Sequence, residues 1–212
     1  MAGYPIDFNA GGRVSAGVCS DANTLGNTIL LPSQTHSCNV AVADRMCVLP
    51  DTDAVVTRVP GLRIGIRTAD CIPLLLYAPD IGAIAAIHAG WRGSLGGIAT
   101  RTVSVLQGIG ADVSLLQAAF GPGICVSCYE VSAELAEEFR KAGFSDCIAG
   151  TRHLDLEAVN RRRLTDMGVP PENIRPKSRC TFETPALPSW RRDATTKRLV
   201  SWIELHQLTT TR

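Results

Sequence analysis

The sequence predicts an α+β fold in which β-strands and a few helices are arranged in layers. Short apolar segments bounded by turn residues recur through the first 90 residues, as is typical of strands. Helical patterns that begin at capping residues follow later in the chain. The 212 residues suffice for one sizeable core and do not require two. We therefore expect residues 1–212 to form a single domain.

The early strands are predicted from short apolar patterns between turn residues. Four are expected at Gly12–Cys19, Asn27–Leu31, Val40–Ala43 and Ala54–Thr57. A fifth is expected over 62–67, where apolar residues alternate with polar or small ones at the period of a half-buried strand.

Two consecutive segments, Ile72–Tyr77 and Ala83–His88, are apolar almost throughout. This is typical of central strands that are covered on both faces of a sheet. The connection Pro79–Gly82 is short enough for an antiparallel hairpin. Reactive side chains lie at its ends, because Cys71 directly precedes the first strand and His88 ends the second.

Three helices are predicted from side chains that can cap a helix N-terminus. The expected helices run from Ser94 to Gly108 and Gly110, from Ser132 to Ala142, and from Asp155 to Met167. A strand is expected at Ser114–Phe120, and Leu199–Leu205 is expected to be a strand or a short helix. Backbone amides at the helix start near Ser94, with Arg92 beside them, could bind an anion.

Composition argues against several classes of function. The formal net charge is +1, which gives no overall electrostatic reason to expect nucleic acid or an acidic membrane surface as a partner. No apolar segment approaches the roughly 18 residues of a membrane span, and the first residues lack the pattern of a signal peptide. We therefore expect a cytoplasmic protein whose eight cysteines are thiols or metal ligands rather than disulfides.

Three dispersed residues, His36, Cys71 and His88, combine two imidazoles with a thiol. Such a set suits zinc or copper and leaves a fourth coordination position open. The residues are 35 and 17 positions apart, which matches no zinc-finger spacing, so only the fold can bring them together. Cys71 and His88 also fit a hydrolase in which an imidazole activates a thiolate nucleophile.

The other cysteines offer weaker hypotheses. Cys125 and Cys128 form a Cys-x-x-Cys pair, but no thioredoxin-like arrangement of strand, motif and helix surrounds them. A zinc deaminase of the His-x-Glu and Pro-Cys-x-x-Cys type is excluded, because neither element occurs in the sequence. Cys38, Cys47 and Cys147 are expected to be packing residues.

Seven segments, in chain order, resemble the multicopper polyphenol oxidase (laccase-domain) family, whose members are also described as purine nucleoside phosphorylases. They are QTHS, DAVVT, TADCIPLLLY, HAGWRG, GPGICVSCYEV, LDLEAVNRRRL and CTFETPALPSWRRD, and they span roughly residues 30 to 200. The resemblance implies paired, layered sheets flanked by helices, in an α/β/β/α-like order. It also implies one metal, usually zinc and alternatively copper, held by His36, Cys71 and His88.

The resemblance further implies phosphorolysis of adenosine, inosine, guanosine and 5'-methylthioadenosine, with adenosine deamination as a second activity. The partners would then be a purine nucleoside and phosphate. Arg92 is the first candidate for the phosphate, with Arg191 and Arg192 as possible partners, because a guanidinium can contact phosphate through two hydrogen bonds. The sequence does not specify the oligomeric state.

Proton transfer needs a group that can bind and release a proton near the purine. Asp70 and Glu130 are the candidates, and Gln34 and Tyr129 are weaker candidates for substrate contact. For deamination, zinc would activate a water molecule towards the purine C6.

The chain departs from the family pattern in loops and not at the predicted metal ligands. Ser37 and Lys197 stand where glycine is common in the family, so the turn beside His36 and the substrate preference are affected more than metal binding.

Two other functions compete with this hypothesis. Copper-dependent phenol oxidation ordinarily needs several coppers, for which the four histidines of the chain are few. A non-enzymatic metal-binding regulatory module would keep the three ligands but would not need Arg92.

Overall fold

The computed structural model describes residues 3–20, 25, 29–177 and 179–207. They form two large β-sheets, a two-stranded sheet and a few helices, so the predicted α+β class is confirmed. No helix among the described residues combines the length and the apolar character that crossing a bilayer requires.

One sheet has five strands, taken from both ends and the middle of the chain. These are β1 (Tyr4–Pro5), β2 (Val14–Cys19), β3 (Ile29–Leu30), β6 (Arg63–Thr68) and β13 (Leu199–Leu205), in the order β1-β2-β13-β6-β3. Strand β13 lies antiparallel to both β2 and β6, so the last segment is a strand rather than a helix. Of the predicted strand Asn27–Leu31, the first two residues lie outside the described part.

The other sheet has six strands and contains the predicted apolar hairpin. Its strands are β4 (Val40–Val42), β5 (Ala54–Thr57), β7 (Ile72–Ala78), β8 (Ala83–Ala89), β9 (Gln117–Phe120) and β12 (Ile174–Arg175), in the order β12-β9-β7-β8-β5-β4. Strands β7 and β8 pair antiparallel along their whole length. Every residue of both strands is buried, which explains their apolar sequences.

The two large sheets pack face to face through apolar side chains. Ile64 and Ile66 of β6 share a buried cluster with Leu75 and Tyr77 of β7 and with Ile203 of β13. Because alternate residues of a strand face opposite ways, Leu74 and Leu76 of β7 belong to a different cluster on the other face.

That other face of the six-stranded sheet is covered by helices. Residues of α2 (Ile98–Gly108), α3 (Ala133–Lys141) and α4 (Leu156–Asp166) contribute to the same apolar cluster as the strands beneath them. The predicted caps of the last two helices are confirmed, because Ser132 accepts a hydrogen bond from the amide of Leu135 and Asp155 accepts one from that of Ala158. A small sheet of β10 (Ile148–Ala149) and β11 (His153–Leu154) lies between these two helices in the chain.

The predicted start of the first helix at Ser94 is wrong. A short helix, α1 (Trp91–Gly96), begins directly after β8, and Gly97 with φ 82° separates it from α2. Ser94 lies inside α1 and is buried, and its hydroxyl accepts a hydrogen bond of 2.8 Å from the Asn160 amide. Its role is therefore to bind α1 to α4, and the left-handed glycine sets the helix boundary.

Two other boundaries differ from the sequence prediction. The strand expected at Ser114–Phe120 is shortened to β9, because residues 113–115 form a single 3₁₀ turn. That turn is stabilised by Asp112, whose carboxylate accepts a hydrogen bond from the backbone amide of Ser114. A last short helix, α5 (Trp190–Asp193), precedes β13.

Candidate metal centre and its cavity

The antiparallel hairpin brings Cys71 and His88 together. Pro73 of β7 lies opposite His88 of β8, so Cys71, which precedes β7, lies beside the end of β8. His36 reaches the same place from the connection between β3 and β4. His36 lies at a bend in this segment and adopts the left-handed conformation, with φ 64°.

The donor atoms of His36, Cys71 and His88 all lie within 4.8 Å of one another. We call these three residues the histidine-cysteine cluster. The Cys71 sulfur lies 3.9 Å from His36 Nε2, and the two imidazole rings are 4.8 Å apart in an edge-to-face arrangement. His88 is buried and His36 is exposed, so the cluster is open on one side.

Asp53 holds two members of the cluster in place. Its Oδ1 accepts hydrogen bonds from His88 Nδ1 (2.6 Å) and from the amide of His36 (3.1 Å). Its Oδ2 accepts hydrogen bonds from the amides of Thr35 (3.1 Å) and Ser37 (2.7 Å) and from the Ser37 hydroxyl (2.8 Å). Because Nδ1 of His88 is bound to a carboxylate, Nε2 is the nitrogen that remains for a metal.

The cluster and Asp53 shift one another's protonation. Burial acts to raise the pKa of Asp53, but hydrogen bonds from His88 and Ser37 outweigh it and lower this pKa to about 2. Burial acts to lower the pKa of His88, but its bonds to Asp53 and Cys71 raise it to about 9. Burial acts to raise the pKa of Cys71, but the two imidazoles lower it to about 6. The protein therefore favours the thiolate form of Cys71, which is the form that binds metals.

Gly90 leaves room for the three donors. A Cβ atom at this position would lie 3.0 Å from the Cys71 sulfur and 3.1 Å from Cδ2 of His36. One thiolate and two imidazoles match the donors that zinc and copper prefer. The residues present therefore fit one such ion with three protein ligands.

The histidine-cysteine cluster lines a cavity of about 600 Å³. Four arginines, Arg67, Arg92, Arg191 and Arg198, line it as well. Its other walls include the aromatic residues Trp91, Tyr129 and Trp190. A cavity with these walls can bind a ligand that has an anionic group and an aromatic ring.

Arg92 has a guanidinium with few internal partners. Its guanidinium stacks on the Trp91 ring at 4.2 Å. Among the described residues, it makes no hydrogen bond and no ion pair. Arg191, by contrast, stacks on Tyr129 and donates to the carbonyl of Glu130 at 2.7 Å. Arg92 and Arg67, whose guanidinium likewise makes no hydrogen bond or ion pair among the described residues, are therefore the cavity arginines most available to an anionic ligand.

Asp70 lies in the cavity wall in a strained conformation, with φ 86°. Its carboxylate accepts hydrogen bonds from the Thr181 hydroxyl (2.6 Å) and from the amide of Arg191 (2.7 Å). Asp70 thereby joins the turn before β7 to the segment that carries α5.

The remaining predicted site residues lie in different surroundings. Gln34 and Tyr129 line the cavity, but both ends of the Gln34 amide are bound to the backbone of Arg67. Glu130 and Arg192 do not line it: Glu130 forms an ion pair with Arg152, and the Arg192 guanidinium donates to backbone carbonyls between residues 181 and 187. Burial, reinforced by the charge of Cys71, raises the pKa of Tyr129 to about 12.

Comparison with known families supports the resemblance seen in the motifs. The sequence model of the family described as "multi-copper polyphenol oxidoreductase laccase" matches residues 15–206. The chain belongs to this laccase family. Its cavity and its histidine-cysteine cluster lie entirely within the matched region.

Curated members of related sequence carry two kinds of name. A protein named adenosine deaminase RL5, from an unknown prokaryotic organism, is 42% identical over 170 residues, which are 72% of this chain and 65% of the relative. A purine nucleoside phosphorylase of Deinococcus radiodurans is 44% identical over 145 residues, 67% of this chain and 56% of the relative. The chain therefore spans less than two thirds of the length of either. A purine nucleoside phosphorylase of Mycobacterium tuberculosis is 38% identical over 186 residues, 84% of this chain and 74% of the relative.

Solved structures show the same fold. The hypothetical protein YfiH of Bacillus licheniformis aligns with a TM-score of 0.83 and 25% identity, over 91% of this chain and 92% of that one. YlmD of Geobacillus stearothermophilus aligns with a TM-score of 0.84 and 24% identity, over 94% of each chain. The two large sheets of this laccase-family chain are thus shared with crystallised proteins.

No motif in the sequence marks Asp53, although it organises the cluster of this laccase-family chain. A signal existed, because Asp53 directly precedes the buried strand β5, and β5 pairs with β8 beside His88. Arg198 and Trp190 reach the cavity from a segment that is remote from the hairpin in the sequence. Arg67 lies near the end of β6, four residues before Cys71, at a position whose alternation with apolar residues indicates only an outward-facing side chain.

Replacing Asp53 with Asn is expected to lower zinc affinity about 10- to 100-fold. The Asn side chain would have one oxygen in place of two. Its NH₂ group would therefore face N–H groups of Thr35, Ser37 or His88, which now donate to the carboxylate. The affinity is measured by competition with a chromophoric chelator. Asp44→Asn, at an exposed carboxylate whose only partner among the described residues is its neighbour Arg45, is the matched control and should bind zinc normally; equal affinities for the two variants would contradict the role of Asp53.

Replacing Gly90 with Ala is expected to weaken zinc binding about tenfold, because the new methyl group would crowd both Cys71 and His36. Gly108→Ala is the control, since a Cβ at the end of α2 would meet no atom within 4 Å. The same chelator titration applies. A normal affinity for Gly90→Ala would show that the space beside the cluster is not needed.

Proposed function

We propose that this chain is a metal-dependent purine nucleoside phosphorylase that acts on adenosine, inosine, guanosine and 5'-methylthioadenosine, with adenosine deamination as a second activity. One observation carries the proposal: an open cluster of three metal ligands lines the same aromatic-walled cavity as Arg92, whose guanidinium forms no ion pair among the described residues. The names of the related proteins, which include both activities, support this choice.

His36, Cys71 and His88 would hold the metal, and we take zinc as the ion, since their donor set is one that zinc accepts. When bound, such an ion supplies Lewis acidity and can lower the pKa of a water molecule to about 7. The protein's own contribution is to keep the ligands oriented through Asp53 and to leave one side of the cluster facing the cavity.

Phosphorolysis forms a bond between a phosphate oxygen and C1' of the ribose while the bond from C1' to the purine nitrogen breaks. The bonding electrons leave with the purine. Arg92 would bind the phosphate and hold it in line with that bond, since its guanidinium stacks on Trp91 and leaves its N–H groups without a hydrogen-bond acceptor in the described part of the chain. Arg191 and Arg67 add positive charge to the same cavity. This charge stabilises the anionic nucleophile in its reactive position.

The departing purine becomes a better leaving group when it receives a proton. Asp70 is our preferred candidate for handling that proton, because its carboxylate lies in the cavity wall, whereas Glu130 lies outside the cavity and is paired with Arg152. The Tyr129 hydroxyl, like that of an ordinary tyrosine, is protonated at neutral pH and can donate to the substrate, and burial, which raises its pKa to about 12, disfavours its ionisation further. The Tyr129 and Trp190 rings offer surfaces on which a purine can stack.

Product analysis separates the possible activities. Zinc-loaded protein is incubated with inosine and, separately, with adenosine, each with and without inorganic phosphate, and the products are resolved by chromatography. We expect hypoxanthine release from inosine that requires phosphate, and some inosine from adenosine without phosphate. If neither reaction occurs and copper-loaded protein oxidises a phenolic dye, the chain is a phenol oxidase instead. If metal binds and no turnover of any kind is seen, the regulatory-module alternative is favoured.

A further inference from the structure

A second group of metal-binding side chains lies outside the cavity. The donor atoms of Cys125, Cys128, Cys180 and Glu183 all lie within 4.8 Å of one another. We call these four residues the three-cysteine cluster. None of them lines the cavity of the histidine-cysteine cluster.

Two neighbouring strands bring the four residues together. Strands β9 and β12 pair in parallel, so the segments that follow them leave the same edge of the sheet. The first segment carries Cys125 and Cys128, and the second carries Cys180 and Glu183. They are joined by a hydrogen bond of 3.1 Å from the amide of Thr181 to the carbonyl of Gly123.

The spacing of the four donors in the sequence and the distances between them fit a metal site that is built from two turns. Two residues separate the donors within each pair, as is common in structural zinc sites. The amide of Cys125 donates to the Cys180 sulfur at 3.3 Å, and the Cys128 sulfur lies 3.5 Å from Glu183 Oε1. Tetrahedral zinc–thiolate geometry, with bonds of about 2.3 Å, puts sulfur atoms roughly 3.8 Å apart. The donors are therefore near the positions that one ion requires.

We propose that the three-cysteine cluster binds one zinc ion as a closed, structural site. The three soft thiolates favour zinc over magnesium or calcium, which prefer sets of oxygen ligands, and zinc also accepts a carboxylate as its fourth ligand. All four tetrahedral positions are filled by the protein, so no position remains for a substrate. This distinguishes the site from the three-ligand histidine-cysteine cluster, which is open to its cavity.

The bound ion would stabilise part of the cavity wall from outside the cavity. Thr181, next to Cys180, donates its hydroxyl to Asp70, and Asp70 in turn accepts from the amide of Arg191. The Arg192 guanidinium binds the carbonyls of Thr181 and Phe182 at 2.8 Å each, which also places a positive charge beside the anionic cluster. An ion that holds residues 180–183 in place thus restrains Thr181, which donates to Asp70. It also restrains the nearby segment that carries α5.

Metal analysis of purified, extensively dialysed full chain tests the proposal. Wild-type protein grown with zinc is expected to retain two zinc ions per chain. A variant with His36→Ala, Cys71→Ser and His88→Ala is expected to retain one, and its zinc X-ray absorption spectrum should show mainly sulfur neighbours. Adding Cys125→Ser and Cys180→Ser to that variant should remove the remaining ion. Cys47→Ser, at an exposed position outside both clusters, should leave two.

Stability gives a second measurement that does not depend on cavity activity. Cys125→Ser/Cys180→Ser in the otherwise wild-type chain is expected to unfold roughly 5–10 °C lower than Cys47→Ser, because the folded state loses a bound ion.

Two results would overturn the proposal. One is a histidine-cysteine cluster variant that contains no zinc while still folded by circular dichroism. The other is wild-type protein in which mass spectrometry finds a disulfide among Cys125, Cys128 and Cys180 that, after reduction, takes up no second zinc ion.

Discussion

Cys71→Ser is expected to lower kcat/KM for inosine phosphorolysis by at least about 1,000-fold. Serine cannot supply a thiolate, so the cluster would keep only its two imidazoles, and zinc occupancy of the cavity site should be lost. Losing an ion that contributes several kcal/mol to the transition state corresponds to a rate change of this size. Initial rates of hypoxanthine release, measured together with zinc content, test the prediction.

The control for Cys71→Ser is Cys47→Ser, which changes an exposed cysteine remote from the cluster and should leave kcat/KM unchanged. Wild-type protein stripped with a chelator should lose its activity as Cys71→Ser does, and should recover it when zinc is restored. Full activity of Cys71→Ser would show that the reaction does not depend on this ligand.

Arg92→Ala is expected to lower kcat/KM for phosphorolysis about 100- to 1,000-fold, because phosphate would lose a guanidinium that is stacked on Trp91 and makes no hydrogen bond or ion pair among the described residues. Zinc content should not change, since Arg92 is not a ligand. The KM for phosphate should rise, and Arg92→Lys should recover part of the loss by restoring the charge without the planar pair of donors.

Adenosine deamination supplies an internal comparison for Arg92→Ala, because that reaction uses no phosphate and should be affected far less. Arg101→Ala, on helix α2 and outside the cavity wall, is the matched control and should behave as wild type. Unchanged phosphorolysis in Arg92→Ala would refute the assignment of the phosphate to this residue.

The local features of the fold were predictable from the sequence because they depend on near neighbours. The apolar segments 72–77 and 83–88 gave the central hairpin, and Ser132 and Asp155 gave two helix starts. The exception, Ser94, also has a local reason: Gly97 adopts a left-handed conformation that the surrounding helical pattern did not reveal.

The site was predictable only in part, because its organisation depends on contacts distant in the chain. The hairpin register explains why Cys71 lies near His88. The position of His36, however, depends on a turn whose amides bind Asp53, 17 residues later. Likewise, which arginines face the cavity is decided by packing: Arg191 and Arg192 are adjacent in sequence, yet only Arg191 lines the cavity.

The most direct test of the proposed activity is to follow the oxygen atoms of phosphate. Zinc-loaded protein is given inosine and inorganic phosphate labelled with ¹⁸O, and the products are examined by ³¹P nuclear magnetic resonance. Attack of phosphate on C1' predicts ribose 1-phosphate that retains every labelled oxygen, formed in equal amount to hypoxanthine. Hypoxanthine accompanied by free ribose and unchanged phosphate would contradict phosphorolysis at this cavity.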